Sequence, residues 1–80
     1  MKFKVGTIVD WLGWTGQVIV PPKAQYPHGS RPDYPICVIF DTKDLMGDDE
    51  IEFFTSEGRY FLGQVASLKI VTENGEVINE

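Results

Sequence analysis

The sequence predicts a small all-β domain, and three observations carry that prediction. Short runs rich in β-branched and aromatic residues recur along the 80 residues, as is typical of strands. Glycine or proline turns separate these runs, and no run shows a convincing helical pattern. A chain of this length forms one domain with a modest core. We therefore predict a single domain over residues 1–80 in which five or six short strands form a barrel.

The central element is a pair of strands. The run Ile-Cys-Val-Ile-Phe at residues 36–40 is bounded by proline and aspartate, and its near-continuous apolarity predicts cover on both faces. Its expected partner is the segment at residues 50–55. That segment ends in Phe53 and Phe54, so one ring should point inward while the other finds cover elsewhere.

Two hairpins are expected to flank this pair. Apolar residues along 3–11, a glycine-rich turn and the strand 17–20 predict a first hairpin with Trp14 at or near its tip. Near the C-terminus, Asn74-Gly75 suits a type I′ turn. It should pair Val77 and Ile78 with Ile70 and Val71.

All five prolines fall between Pro21 and Pro35. Because proline lacks the backbone donor that a strand ladder needs, this segment is predicted to be a long loop. Loops of this length in a compact domain are usually functional or mobile. It carries Tyr26, His28, Arg31 and Tyr34.

The segment Thr55 to Arg59 has the composition of a turn, with Gly58 at a position that requires positive φ. Arg59 is expected to pair with Glu57 or a nearby carboxylate and fix the turn, or else to contact a partner beside Tyr60.

The order of these pieces resembles a known family. The segments 5–9, 13–14 and 16–19, and a strand ending in 38–41, look like those of an SH3-like barrel of the Tudor/KOW type. The segments 34–40 and 54–60, followed by Leu68, are similar to small proteins of bacteriophages and prophages. The resemblance implies a small SH3-like barrel with a long proline-rich loop, a C-terminal hairpin and a phage-type origin. It implies no particular activity.

The formal charge of −5 disfavours a broad phosphate-binding face. Between residues 41 and 57 seven acids stand against one base, Lys43. A candidate acidic surface consists of Asp41, Asp44, Asp48, Asp49 and Glu50. Their spacing does not match a calcium-binding loop, so a solvated loop or a surface for a basic partner is favoured over a metal site.

The sequence shows no catalytic constellation and calls for no cofactor. His28 is the single histidine and lies in a loop, where a solvated side chain is the simpler interpretation. Cys37, the single cysteine, lies in an apolar strand and is expected to act as a small hydrophobe. It cannot form an internal disulfide, which favours a reducing, cytoplasmic location. No apolar run approaches the ~20 residues of a membrane span, and no leader is evident.

These observations favour a non-enzymatic protein-interaction module. Through the resemblance to phage proteins, its partner would be a host bacterial protein in the host cytoplasm. The candidate partner-binding residues are Trp14, Tyr26, Tyr34, Arg59 and Tyr60.

Two alternatives remain open. One is an acidic mimic of nucleic acid that inhibits a host nuclease or DNA-binding protein. The other is a Tudor/KOW-type nucleic-acid-binding barrel in which Trp14 and Tyr34 stack on bases while Lys23, Arg31 and Arg59 contact phosphates. The net charge makes the second the weaker. An exposed edge strand near Asn74-Gly75 leaves both a monomer and a homodimer open.

Overall fold

The computed structural model describes residues 3–43, 45–60, 68–71 and 77–78 of the chain. In this part of the chain the regular structure is all β, as the sequence predicts, and it contains no helix. The strands form one antiparallel sheet with the order β4-β3-β2-β1-β5-β6. They are β1 (Ile8–Trp11), β2 (Trp14–Ile19), β3 (Ile36–Lys43), β4 (Asp49–Phe54), β5 (Lys69–Val71) and β6 (Val77–Ile78).

A two-residue turn joins β1 to β2. Its residues Leu12 and Gly13 have φ values of 54° and 88°, the left-handed pair of a type I′ turn, whose twist matches that of the flanking strands. Trp11 and Trp14 pair directly across it. The predicted hairpin is therefore confirmed, with Trp14 beside its tip and a turn tighter than the sequence indicates.

The central strand β3 is covered on both faces, as its apolar run predicts. Ile36, Val38 and Phe40 point into the core, where each is buried. On the other face Cys37 is also buried and Ile39 is half-buried. β3 therefore forms the centre of the core and separates it from a second, smaller apolar layer.

The sheet is strongly curled. β1 and β4 are three positions apart in the strand order, and a flat sheet would hold them roughly 14 Å apart. The ring centroids of Trp11 in β1 and Phe54 in β4 are nevertheless 5.1 Å apart. The concave side encloses the core, which consists of Phe3, Val9, Val18, Ile36, Val38, Phe40, Phe54 and Leu68.

The curl does not close the sheet. Its ends are β4 and β6, and no strand pairing joins them within the described residues. The barrel that the sequence predicts is therefore not closed there, and the strands form an open, curled sheet.

The two C-terminal strands pair with each other, as predicted. Ile70 pairs with Ile78, and Val71 pairs with Val77. β6 therefore extends the sheet beyond β5. The Asn74-Gly75 turn, and the turn expected between residues 62 and 68, lie outside the described residues except for Leu68 itself.

The proline-rich segment contains no strand, as predicted. Its backbone turns twice, with the Tyr26 amide donating to the Pro22 carbonyl at 2.8 Å and the Gly29 amide donating to the Tyr26 carbonyl at 2.9 Å. An isolated bridge then joins Arg31 to Tyr34.

Candidate functional site

The β1–β2 hairpin places two tryptophans on the core side of the sheet. Since paired residues in an antiparallel ladder point to the same face, Trp11 and Trp14 project together. Their rings meet edge to face, with centroids 6.0 Å apart. The tight turn therefore fixes the geometry of this ring pair.

Trp11 is the hub of a larger ring cluster. Its centroid lies 5.7 Å from that of Phe40, 5.1 Å from that of Phe54 and 5.1 Å from that of Tyr60. Phe40 and Phe54 are buried, whereas Trp14 is 43% exposed and Tyr60 is 39% exposed. We call Trp11, Trp14 and Tyr60 the aromatic end cluster, because these rings continue the core out to the surface.

A hydrogen-bonded turn positions Tyr60. The Thr55 amide donates to the Arg59 carbonyl at 2.8 Å, the Gly58 amide donates to the Thr55 carbonyl at 2.8 Å, and the Arg59 amide donates to Thr55 Oγ1 at 3.0 Å. Gly58 has a φ of 87°, so the predicted positive φ is confirmed. This turn places the ring of Tyr60 against the ring of Trp11.

The expected ion pair of Arg59 with Glu57 is not formed. The described carboxylates include none within ion-pair distance of the Arg59 guanidinium, which is half-buried. The buried hydroxyl of Thr55 already holds the turn, so the turn needs no side-chain ion pair. Arg59 directly precedes Tyr60 in the chain, and its charge is not paired with these carboxylates.

Glu52 gives the aromatic end cluster a negative edge. It pairs with Val38 across β3 and β4 and so faces the core side of the sheet, where it is half-buried. The charge of Glu52 raises the pKa of Tyr60 above its ordinary value, and the hydrogen bond from the hydroxyl to Glu52 and partial burial act in the same direction. The neutral hydroxyl thus serves as the donor to Glu52.

A second cluster lies on the opposite face of the sheet. Adjacent residues of a strand point to opposite faces, so Phe53 faces outward where Phe54 faces the core. Tyr26 packs on Phe53, with ring centroids 4.9 Å apart, and the predicted cover of the second phenylalanine is confirmed. The guanidinium of Arg31 lies 4.9 Å from the centroid of the Tyr34 ring.

A depression of about 280 Å³ opens between the proline-rich loop and β4, lined by Tyr26, Gly29, Arg31 and Phe53. We call it the loop pocket. The candidate binding residues thus separate into two groups. Trp14 and Tyr60 meet at the aromatic end cluster, and Arg59 directly precedes Tyr60 in the chain, while Tyr26 and Tyr34 belong to the loop side.

The candidate acidic surface lies mostly on the loop between β3 and β4. Asp41, Asp48 and Asp49 are exposed, Glu50 is half-buried, and Asp44 lies outside the described residues. Lys43 forms an ion pair with Asp49 across the base of the loop, where a register shift marks a bulge.

The described residues contain no group of three or more side chains suited to a metal ion. His28 is exposed. Burial of the Cys37 thiol raises its pKa to about 11, so the reactive thiolate is disfavoured near neutral pH. We therefore assign no reactive role to His28 or Cys37.

Two residues of the site, Trp11 and Glu52, are not among the binding residues that the sequence predicts. Trp11 is the hub, and its signal is the spacing of two tryptophans across a two-residue turn. Glu52 is one of the seven acids between residues 41 and 57, and the sequence assigns it no binding role, although it shares a strand face with Phe54. An acid two residues from a core aromatic is a usable signal for a polar group at the core edge.

Comparison with protein-family models, with curated proteins and with solved structures finds no match for this chain. Among the described residues no helix is long and apolar enough to cross a membrane.

Proposed function

We propose that this protein is a non-enzymatic protein-interaction module with an SH3-like fold, and that the aromatic end cluster is its binding surface. The observation that carries the proposal is the convergence of the exposed rings of Trp14 and Tyr60 on Trp11. Exposed aromatic rings held on a rigid base are the side chains most often found as binding hot spots.

The SH3-like assignment draws support from the strand order. In the order β4-β3-β2-β1-β5, strand β5 returns to pair with β1, the first strand of the chain. The curl of the sheet brings Trp11 in β1 into contact with Phe54 in β4. An SH3-like barrel has this order and this curl. β6 is then an addition at one end.

The chemistry of the cluster favours a positively charged anchor on the partner. Aromatic faces attract cations, and Glu52 places a carboxylate at the edge of the rings. A lysine or arginine side chain would lay its apolar stem on Trp14 and direct its charge toward Glu52. The partner is proposed to be a host bacterial protein in the cytoplasm, on the basis of the sequence resemblance to phage proteins and of the free cysteine.

The experiment that tests the proposal is affinity capture from bacterial lysate with paired baits. The Trp14→Ala bait lacks an exposed ring of the cluster. The Leu12→Ala bait is the matched control, because Leu12 is exposed in the same hairpin and is absent from the ring contacts. A saturable partner should bind the wild type and Leu12→Ala but be lost by Trp14→Ala. The absence of a saturable partner, or equal capture by Trp14→Ala, contradicts the proposal.

An acidic mimic of nucleic acid is the second candidate. The exposed carboxylates of Asp41, Asp48 and Asp49 support it, although they lie on one loop and Lys43 offsets one of them. This function requires target binding that weakens steeply with salt. Salt-insensitive binding of the captured partner would eliminate it. The Tudor/KOW-type nucleic-acid barrel stays the weaker alternative, and the absence of a mobility shift with single-stranded DNA or RNA at low salt would eliminate it.

A further inference from the structure

The loop between β3 and β4 presents two apolar side chains to solvent. Leu45 is fully exposed and Met46 is 85% exposed, which makes them the most exposed large hydrophobic residues in the described part of the chain. We call them the apolar tip. Large apolar side chains presented together at a surface are a feature of interaction sites.

The apolar tip is surrounded by negative charge. Asp41 and Asp48 are exposed on the same loop. Lys43, the single base between residues 41 and 57, is committed to Asp49 in an ion pair. The hydrogen bond and the charge of Asp49 raise the pKa of Lys43, so Lys43 is charged where it pairs with Asp49. The surface that would receive the tip must therefore be apolar with a positive rim.

The loop pocket has this character. The rings of Tyr26 and Phe53 form its apolar lining, and Arg31 lies at its edge. The Arg31 guanidinium makes no ion pair with a described carboxylate. It is held over Tyr34 by a turn in which the Tyr34 amide donates to the Arg31 carbonyl at 3.0 Å. Arg31 is therefore held at the Tyr34 ring, and its charge is not paired with any of the described carboxylates.

One chain cannot join these two features within itself. The apolar tip precedes Asp49 at the start of β4, whereas Phe53 lies near its other end. The four steps between Asp49 and Phe53 span about 13 Å of extended strand, and the tip lies beyond Asp49. The tip and the pocket therefore lie near opposite ends of the strand.

We propose that the apolar tip of one copy docks in the loop pocket of a second copy, so that the protein associates head to tail. This contact uses residues outside the aromatic end cluster and is independent of the function proposed above. Because a head-to-tail contact leaves one tip and one pocket unused, it can continue into longer assemblies. It is small beside a standard interface of about 1,600 Å², so association requires a high protein concentration.

Sedimentation velocity with complementary variants tests the proposal. The tip variant combines Leu45→Asp with Met46→Asp and keeps the pocket. The pocket variant, Arg31→Glu, keeps the tip. All three residues are exposed, so both variants should fold, and circular dichroism checks this. At concentrations from ~10 µM to ~1 mM, the wild type should grow beyond a dimer, and this growth should weaken as salt shortens the screening length.

Each variant alone should stay monomeric at every concentration. An equimolar mixture should form a dimer and nothing larger, because it contains one working tip and one working pocket per pair. Three results would overturn the proposal: a wild type that stays monomeric at the highest concentration and low salt, a variant that associates as the wild type does, or a mixture that stays monomeric.

Discussion

Replacing Gly58 with alanine tests the turn that places Tyr60 in the aromatic end cluster. Gly58 has a φ of 87°, a conformation that costs an L-residue about 1–2 kcal/mol. The added Cβ would lie 2.8 Å from two ring carbons of Phe3 and 3.2 Å from Leu68 Cβ. Phe3 is 1% exposed, so its ring has no free space to move into. Crowding of this kind costs a further ~1–3 kcal/mol.

The expected loss in the free energy of unfolding is therefore about 3 kcal/mol, a large share of the ~5–15 kcal/mol of a small domain. Urea unfolding followed by tryptophan fluorescence measures it. Gly47→Ala is the matched control, because Gly47 has a φ of 81° and an added Cβ there meets nothing within 4 Å. It should lose only the backbone contribution of about 1 kcal/mol. Equal losses in the two variants would refute the packing of this turn on Phe3.

Three further predictions concern the sheet and its titrating groups. Gly16→Ala would place a Cβ 2.7 Å from a methyl carbon of Val38, so the urea midpoint should fall by an amount equivalent to about 1–3 kcal/mol; an unchanged midpoint contradicts the packing of β2 on β3. Burial raises the pKa of Cys37 from 9.0 to about 11, so stability due to the neutral thiol is complete below pH 9 and is lost as the pH rises toward 11. Across that range the wild type should lose about 2–3 kcal/mol relative to Cys37→Ala, and parallel curves would refute the burial. Glu52→Gln should lower the pKa of Tyr60 in an ultraviolet tyrosinate titration, whereas an unshifted titration would exclude the contact between them.

Much of the fold could be predicted because its signals are local. The apolar run of β3 contains its own strand signal, and the Asn74-Gly75 signal correctly predicts that β5 and β6 pair. A two-residue turn there would pair Val71 with Ile78, whereas Val71 pairs with Val77. The positive φ of Gly58 follows from the composition of its turn. In each case the deciding residues lie close together in sequence.

The aromatic end cluster could be predicted only in part, because its assembly depends on the curl of the sheet. The sequence identifies Trp14 and Tyr60 as candidates, but it does not indicate that both meet on Trp11. That contact joins the end of β1 to the turn after β4, and a pattern of alternating residues carries no information about curvature.

The division of the candidates between two faces has the same origin. Tyr26 packs on Phe53 on the outer face of the sheet. The sequence predicts that one of the two adjacent phenylalanines is covered there, but it does not indicate that Tyr26 covers it. The expected ion pair of Arg59 with Glu57 is absent for a different reason. The Thr55 hydroxyl accepts from the Arg59 amide and so holds the turn, and an exposed ion pair would add only ~0–1 kcal/mol to its stability.

The most direct test of the central claim is the fluorescence of Trp14 during titration with the captured partner. The chain has two tryptophans, so Trp11→Phe leaves Trp14 as the single emitter while keeping an aromatic hub. Binding should shift its emission to shorter wavelength and protect it from acrylamide quenching, because the 43% of Trp14 that is exposed becomes covered. If this variant binds the partner with wild-type affinity while emission and quenching stay unchanged, the aromatic end cluster is not the binding surface.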